Sequence, residues 1–227
     1  MKKIVVLTGA GISAESGLKT FRDADGLWEG HDVYEVATPE GWYKNKALVL
    51  DFYNQRRKQL LEVNPNPAHL ALALLERSYE VTIITQNVDD LHERAGNSNI
   101  IHLHGELLKS RSSVDENLIY QCTNDINIGD LCDKKTQLRP HIVWFGEMVP
   151  LLDKAMHITT QADMLMIVGT SMQVYPAANL IRYASSNIPK YFIDPKPAIQ
   201  ENQYKNLTVL AEKASIGVPK IVRQLIG

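Results

Sequence analysis

The sequence predicts an α/β chain built on a doubly wound parallel sheet that carries two insertions, and three observations predict it. Short apolar runs rich in β-branched residues alternate with stretches of helical spacing. The first run, Ile4-Val5-Val6-Leu7-Thr8, ends in Gly9, Gly11 and Ala14. That G-x-G-x-x-A spacing suits a strand turning sharply into a helix whose free N–H groups face a pyrophosphate, although glycine-rich turns also arise from packing alone. The next such run is Val81-Thr82-Ile83-Ile84-Thr85, apolar enough to be buried on both faces. Residues 9–80 separate the two, where a minimal dinucleotide unit needs roughly 20 to 30. Residues 26–67 therefore read as a helical module inserted over the cleft.

The elements follow in order. Residues 33–42 look loop-like, with Thr38 as an N-cap before Pro39. Apolar residues at 48, 52, 60 and 61 give 47–61 a helical stripe, which Asn64-Pro65-Asn66-Pro67 stops. Residues 68–76 form a second helix, 81–85 and 100–103 are strands, and 105–139, polar and without periodicity, read as a second, irregular insertion. Residues 141–145, 164–168 and 190–193 are further buried strands, 175–185 a helix and 208–210 an edge strand. The expected division is a sheet unit of 1–25, 68–104 and 140–227 and a smaller unit of 26–67 and 105–139.

Length and composition agree with this. A chain of 227 residues, 44% hydrophobic, can bury a sizeable core. A net charge of -2 argues against a nucleic-acid surface. No apolar stretch is long enough to span a membrane, and Met1-Lys2-Lys3 leaves no room for a signal peptide, so a soluble, cytoplasmic protein is expected. Cys122 and Cys132 are too few for a disulfide framework and are expected as thiols.

Chemistry-bearing residues gather after strands. Gln86, Asn87, Val88 and Asp89 follow one strand and Gly169, Thr170 and Ser171 another, at the carboxyl ends where open parallel sheets bind ligands; Asn87 and Asp89 also suit helix capping. His104 stands at a strand end before Gly105, a glycine that lets a ligand approach the backbone, although a lone histidine is more often a packed or solvated side chain. His69, His92 and His102 read as packed or solvated. Tyr53 and Arg56, three apart, share a helix face away from Arg57 and Lys58; such a face could equally be solvated.

The run Gly9-Ala10-Gly11-Ile12-Ser13-Ala14-Glu15-Ser16-Gly17 followed by Phe21-Arg22 resembles the signature of the sirtuin family, the NAD-dependent protein-lysine deacylases. The resemblance recurs in Thr85-Gln86-Asn87-Val88-Asp89, His102-Leu103-His104-Gly105, Ile142-Val143-Trp144-Phe145-Gly146-Glu147 and Gly169-Thr170-Ser171. It implies a Rossmann-like NAD-binding unit with a smaller second unit, and an enzyme that transfers the acyl group of a modified lysine to NAD, yielding nicotinamide, O-acyl-ADP-ribose and free lysine. His104 would be the base and Asn87 would orient the cofactor. Gly9 through Glu15, Gly17, Thr20, Phe21, Arg22 and Trp28 would surround NAD. So would Gln86, Val88, Asp89, Gly169, Thr170, Ser171, Asp194, Pro195, Lys196 and Ala214. Val143, Trp144, Phe145, Gly146, Glu147, Val174 and Tyr175 would hold an extended acylated peptide. Tyr53 and Arg56 resemble the pair with which desuccinylase-type sirtuins grip a carboxylate at the end of the acyl chain, implying a desuccinylase or demalonylase with deacetylase activity. A monomer is expected, with acylated lysines of proteins as partners and no nucleic acid or membrane.

Two departures stand out. Most sirtuins carry four cysteines for a structural zinc in the second insertion; Ser112 and Ser113 stand where the first pair would begin, so this zinc-ribbon-like segment lacks the full set and no metal is expected. Asp194 replaces the usual asparagine. Mono-ADP-ribosyl transfer, and non-catalytic binding of NAD or acylated peptides, remain open alternatives.

Overall fold

The computed structural model describes residues 1–19, 27–28 and 30–227, with only the backbone described at Leu27 and Trp28. In chain order its strands are β1 Lys3–Thr8, β2 Leu27–Trp28, β3 His31–Asp32, β4 Glu80–Thr85, β5 Ile100–His102, β6 Gly105–Ser112, β7 Ile119–Gln121, β8 Leu138–Ile142, β9 Met164–Val168, β10 Lys190–Ile193 and β11 Leu207–Leu210. The helices are α1 Val33–Val36, α2 Pro39–Lys44, α3 Lys46–Glu62, α4 Pro67–Leu75, α5 Leu91–Ala95, α6 Leu152–Thr160 and α7 Ala214–Ile226.

Six parallel strands form the central sheet in the order β11-β10-β9-β1-β4-β5. β1 lies between β4 and β9, with Val6 beside both Ile83 and Met166, which explains its unbroken apolar run. On one face, Val5, Leu7, Ile84, Ile167 and Phe192 pack against Ala155 of α6 and Leu180; on the other, Ile4, Val6, Ile83 and Val168 meet Leu72 and Leu75 of α4 and Val218 and Ile221 of α7. The order reverses at β1, and the register sets Thr8 beside Thr85 and Val168, so the loops after β1, β4 and β9 open from one edge. This is a Rossmann-like doubly wound sheet.

The smaller part combines α1 to α3 with an antiparallel sheet of β7, β6 and β8. Val36, Trp42, Val49, Phe52, Leu60, Leu107, Ile126 and Ile142 form its core. Its helices start on side-chain caps: Asp32 accepts from Tyr34 N–H, Thr38 from Gly41 N–H and Asn45 from Leu48 N–H. Arg94 of α5 moors the end of α3 by donating to the carbonyl oxygens of Leu60 and Val63 and to Asn64 Oδ1.

Several expected elements come out differently. Among the described residues, two 3-10 turns, Ala10–Ile12 and Ala14–Ser16, stand where an α-helix was expected after the glycine cradle. The Ile12 carbonyl accepts a 2.7 Å hydrogen bond from Asn66 Nδ2 instead of entering a helical ladder. Residues 141–145 are not a strand of the central sheet, because β8 ends at Ile142 in the antiparallel sheet and Phe145 N–H turns to the Ala37 carbonyl at 3.0 Å. β8 also runs across the boundary expected at 139/140. Residues 105–139 are not irregular: β6 pairs with β7 and β8, its apolar pattern interrupted by polar residues bonded within the sheet. The helix expected over 175–185 is a 3-10 segment, Ala177–Arg182. Residues 33–42 hold α1 and the start of α2. α6 and α7 were not anticipated; Gly217 and Pro219 inside α7 read locally as breakers, but its apolar face packs on the sheet.

Candidate active site

One cavity lies over the carboxyl ends of β1, β4 and β9, roofed by α3 and the segment after β8. Gly9, Ala10, Gly11 and Ser13 line it, with Gln86, Asn87, Val88, Asp89, His104, Gly169, Thr170 and Ser171. Tyr53, Arg56, Val143 through Glu147, Val174 and Tyr175 complete its wall. The sequence missed Gln59 and Leu60, which share the α3 face of Arg56 at three- and four-residue spacing, and Leu107, two residues beyond Gly105 on β6; those spacings were the available signal.

Other expected residues lie outside it. Ile12 is buried beneath the cradle, in the core. Glu15 accepts hydrogen bonds from Ser215 N–H at 3.0 Å and its hydroxyl at 2.8 Å, holding the start of α7, where Ala214 is buried. Ala14 and Gly17 also stand outside the cavity. Asp194 is buried after β10 and accepts from Lys196 N–H at 2.8 Å, while Pro195 and Lys196 are exposed. Thr20, Phe21 and Arg22 lie outside the described residues, as does the side chain of Trp28.

The cradle is backbone packed on backbone. Gly11 N–H donates to the Gly169 carbonyl at 2.8 Å, and a Cβ on Gly11 would stand 2.7 Å from Gly169 Cα, so no larger residue fits. Ser13 Oγ donates to Asp89 Oδ2 at 2.9 Å and accepts from Asn87 Nδ2 at 3.2 Å, and Asn87 Nδ2 also reaches the Gly9 carbonyl at 3.2 Å. Gln86 Nε2 donates to Thr170 Oγ1 at 3.3 Å, tying the loops after β4 and β9 together. Burial pushes the Asp89 carboxyl up to about 6, against the lowering effect of Ser13. Beneath, Asn87 N–H donates to Thr85 Oγ1, which also accepts from Thr8 Oγ1 at 2.8 Å. Thr8 in turn meets His92 Nε2 at 3.1 Å, and the His92 ring stacks edgewise on His69.

His104 Nδ1 bonds to the Gln86 carbonyl at 3.0 Å. A carbonyl only accepts, so Nδ1 carries the proton and Nε2 keeps its lone pair. Burial lowers the His104 pKa, which keeps the ring neutral near pH 7. Gly105, at φ 84°, is forced by β8: a Cβ there would lie 2.1 Å from the His141 carbonyl oxygen. His102 is the opposite case. Burial pulls its pKa down, but the Glu93 carboxylate at 2.7 Å more than offsets this, and the ring serves as a strut to the Asn87 carbonyl.

At the module end, Tyr53 is fully buried and its hydroxyl accepts from Trp144 Nε1 at 3.0 Å. Burial raises its pKa. Arg56 lies beside it with its guanidinium over the Phe52 ring at 5.1 Å, and its buried Nε meets no acceptor among the described residues. Arg57 and Lys58 do point elsewhere, to the Leu107 carbonyl and to Asp125. In the segment after β8, the N–H groups of Val143, Trp144, Phe145 and Glu147 are taken by His104, Glu147, Ala37 and Trp144. The Glu147 carboxylate is tied to Arg139 at 2.8 and 3.1 Å, while Tyr175, 65% exposed, stands at the rim.

Comparisons with known proteins agree. A model of the Sir2 family matches residues 9–176. The NAD-dependent protein deacylase of Helicobacter pylori (strain ATCC 700392 / 26695) is 60% identical over all of this chain and 98% of its own length. That of Bacteroides thetaiotaomicron is 51% identical over 100% and 99%. Among solved structures, a Sir2 homolog–NAD complex is 40% identical with a TM-score of 0.89, covering 99% of this chain and 90% of the other. A Sir2 bound to acetylated peptide is 27% identical with a TM-score of 0.79, covering 98% and 91%. A family match over residues 9–176, with such identities along the whole chain, means that this protein belongs to the Sir2 family.

Proposed function

We propose that the protein is an NAD-dependent protein-lysine deacylase that prefers acyl groups ending in a carboxylate, succinyl and malonyl, and retains deacetylase activity. The observation that carries the acyl preference is the placing of Tyr53 and Arg56 together in the cavity wall, Arg56 keeping a buried Nε without an acceptor among the described residues. A guanidinium fork meets a carboxylate through two charge-assisted hydrogen bonds, together worth about 1.5 to 3 kcal/mol when shielded. An acetyl group offers no such partner.

The cavity suits NAD on its own chemistry. Hydroxyls of Ser13, Thr170 and Ser171 and the amides of Gln86 and Asn87 fit ribose and phosphate, and buried Asp89 fits a carboxamide N–H. Bound there, NAD supplies the electrophilic ribose carbon that takes up the acyl oxygen. His104 then removes a proton from a ribose hydroxyl through Nε2, its tautomer held by Gln86. Asn87 and Asp89, locked through Ser13, hold the nicotinamide end in place, and Leu60, Leu107, Ile142 and Trp144 keep water from the acyl chain. Nicotinamide leaves as the acyl oxygen bonds to the ribose carbon, the deprotonated ribose hydroxyl attacks the acyl carbon, and one water then releases the amine, so that acyl-lysine, NAD and water give nicotinamide, O-acyl-ADP-ribose and free lysine.

A structural zinc does not fit the second insertion. Cys132 Sγ bonds to Ser112 at 3.3 Å and Thr136 at 3.1 Å, while Cys122 Sγ turns to the Asn124 carbonyl. Among the described residues, the group of ionisable side chains close enough to share an ion is Glu93, His102 and Glu106, which includes neither cysteine.

The test is kcat/KM on matched succinyl and acetyl peptides. Arg56→Met is expected to lower the succinyl-to-acetyl ratio about 10- to 100-fold. A mutant that lowers both alike, or a wild type that strongly favours acetyl, would remove the carboxylate preference.

A further inference from the structure

The acyl wall contains a chain of contacts that the proposed chemistry does not use. Trp144 reaches Tyr53 across 91 positions, its Nε1–H donating to the phenol oxygen at 3.0 Å. An indole nitrogen only donates, so the phenol oxygen accepts and the phenol's own hydrogen turns away from Trp144. Trp144 is itself fixed twice. Its backbone N–H donates to Glu147 Oε2 at 2.8 Å, and the Arg139 guanidinium stacks on its ring with Cζ 3.3 Å from the centroid. Arg139 is fixed in turn by two bonds to Glu147, at 2.8 and 3.1 Å, and one to the Ile142 carbonyl at 2.9 Å. A stacked guanidinium that also grips a carboxylate leaves the indole little rotational freedom.

We infer that Arg139 and Trp144 are positioning residues that set the acyl preference by aiming the Tyr53 hydroxyl into the acyl pocket. The inference rests on the carboxylate reading of Tyr53 and Arg56. A phenol held in place by Trp144 can turn its hydrogen to a carboxylate when one binds, and burial, which raises the Tyr53 pKa, keeps it protonated. Acetyl-lysine presents nothing for that donor, so a disturbed phenol weakens succinyl recognition selectively.

The experiment measures KM and kcat on matched succinyl and acetyl peptides for wild type, Arg56→Met, Trp144→Phe, Tyr53→Phe and the double variant of Trp144 and Tyr53. Trp144→Phe keeps the ring and removes the donor. It is expected to lower the succinyl-to-acetyl ratio of kcat/KM about 3- to 10-fold, chiefly through the succinyl KM, as befits one neutral hydrogen bond. In the Tyr53→Phe background the same change is expected to move the ratio less than about twofold, because the phenol through which Trp144 acts is gone. Arg139→Lys, which keeps the charge but loses the planar stack, should lower the ratio about 2- to 5-fold, and it carries the test if Trp144→Phe melts below assay temperature. A ratio unmoved by Trp144→Phe or Arg139→Lys, or full additivity with Tyr53→Phe, overturns the inference while a fall in Arg56→Met leaves the carboxylate reading standing. No fall in Arg56→Met removes that reading, and this inference with it.

Discussion

The sheet side of the cavity is made of backbone and small side chains. Gly11 lies against Gly169, and Ser13, Asn87 and Asp89 hold one another within loops that follow parallel strands. The module side is made of large side chains brought from far apart: Tyr53 on α3, Trp144 after β8, and Arg139 and Arg111 gathered on Glu147. The first arrangement has little room to vary, since added volume meets backbone. The second can change one side chain and keep its packing, so the proposed function assigns the chemistry common to the family to the sheet side and acyl choice to the module side.

The largest expected effect falls on the sheet side. His104→Ala should lower deacylation by about 10²- to 10⁴-fold while NAD affinity, followed by calorimetry, changes little, because the base acts once the cofactor is bound. Turnover near wild type would take His104 out of the reaction. Gly11→Ala should raise the Kd for NAD more than about tenfold, since its Cβ meets Gly169 backbone at 2.7 Å, and leave the succinyl-to-acetyl ratio where it was. A changed ratio would mean that the two sides are coupled.

A smaller effect concerns acid. His69 and His92, buried beneath the cradle, have pKa values lowered from 6.5 to about 4 and about 3, chiefly by burial. The unfolded chain therefore takes up protons that the folded chain refuses, and stability is full above about pH 6.5 and is lost as pH falls toward those folded values. His102, with its raised pKa, acts in the opposite sense. Between pH 7.5 and 5.5 we expect a loss of about 1 kcal/mol for each buried ring, read from urea midpoints, and a flatter profile in His92→Gln. A profile as steep in that variant would place the acid sensitivity elsewhere. The smallest effect is expected in the second insertion: a chelator should leave Tm within about 1 °C, whereas Ser112→Ala, which removes the acceptor for Val114 N–H, Asp115 N–H and Cys132 Sγ, should cost about 1 to 2 kcal/mol. One zinc per chain by elemental analysis, lost in Cys122→Ser, would reverse that account.

The same contrast explains what could be read from the residues. The glycine spacing, the β-branched strands and the polar residues after them are local patterns, and they located the cradle, His104 and the parallel sheet. Tyr53 and Arg56 were visible as a pair on one helical face. Glu147 was expected in the peptide-pairing segment and lines the cavity, but its carboxylate is held by Arg139 and Arg111, partners that no spacing along the chain announces. α7 was hidden because Gly217 and Pro219 signal an end where tertiary packing overrules them. Glu15 sits inside the cradle signature but bonds to Ser215, 200 positions away.

The mooring of α3 by Arg94 has a consequence for the proposed acyl preference. Arg94 stands on α5, which follows directly from the loop of Asn87 and Asp89, and it grips the end of the helix that carries Arg56. Under the proposed function, the span from guanidinium to base would act as a caliper with a set opening. Malonyl, succinyl and glutaryl chains differ by single methylenes, so on the proposed reading the enzyme grades them by reach, and loosening the jaw with Arg94→Ala would broaden the range of lengths accepted more than it lowers the best of them.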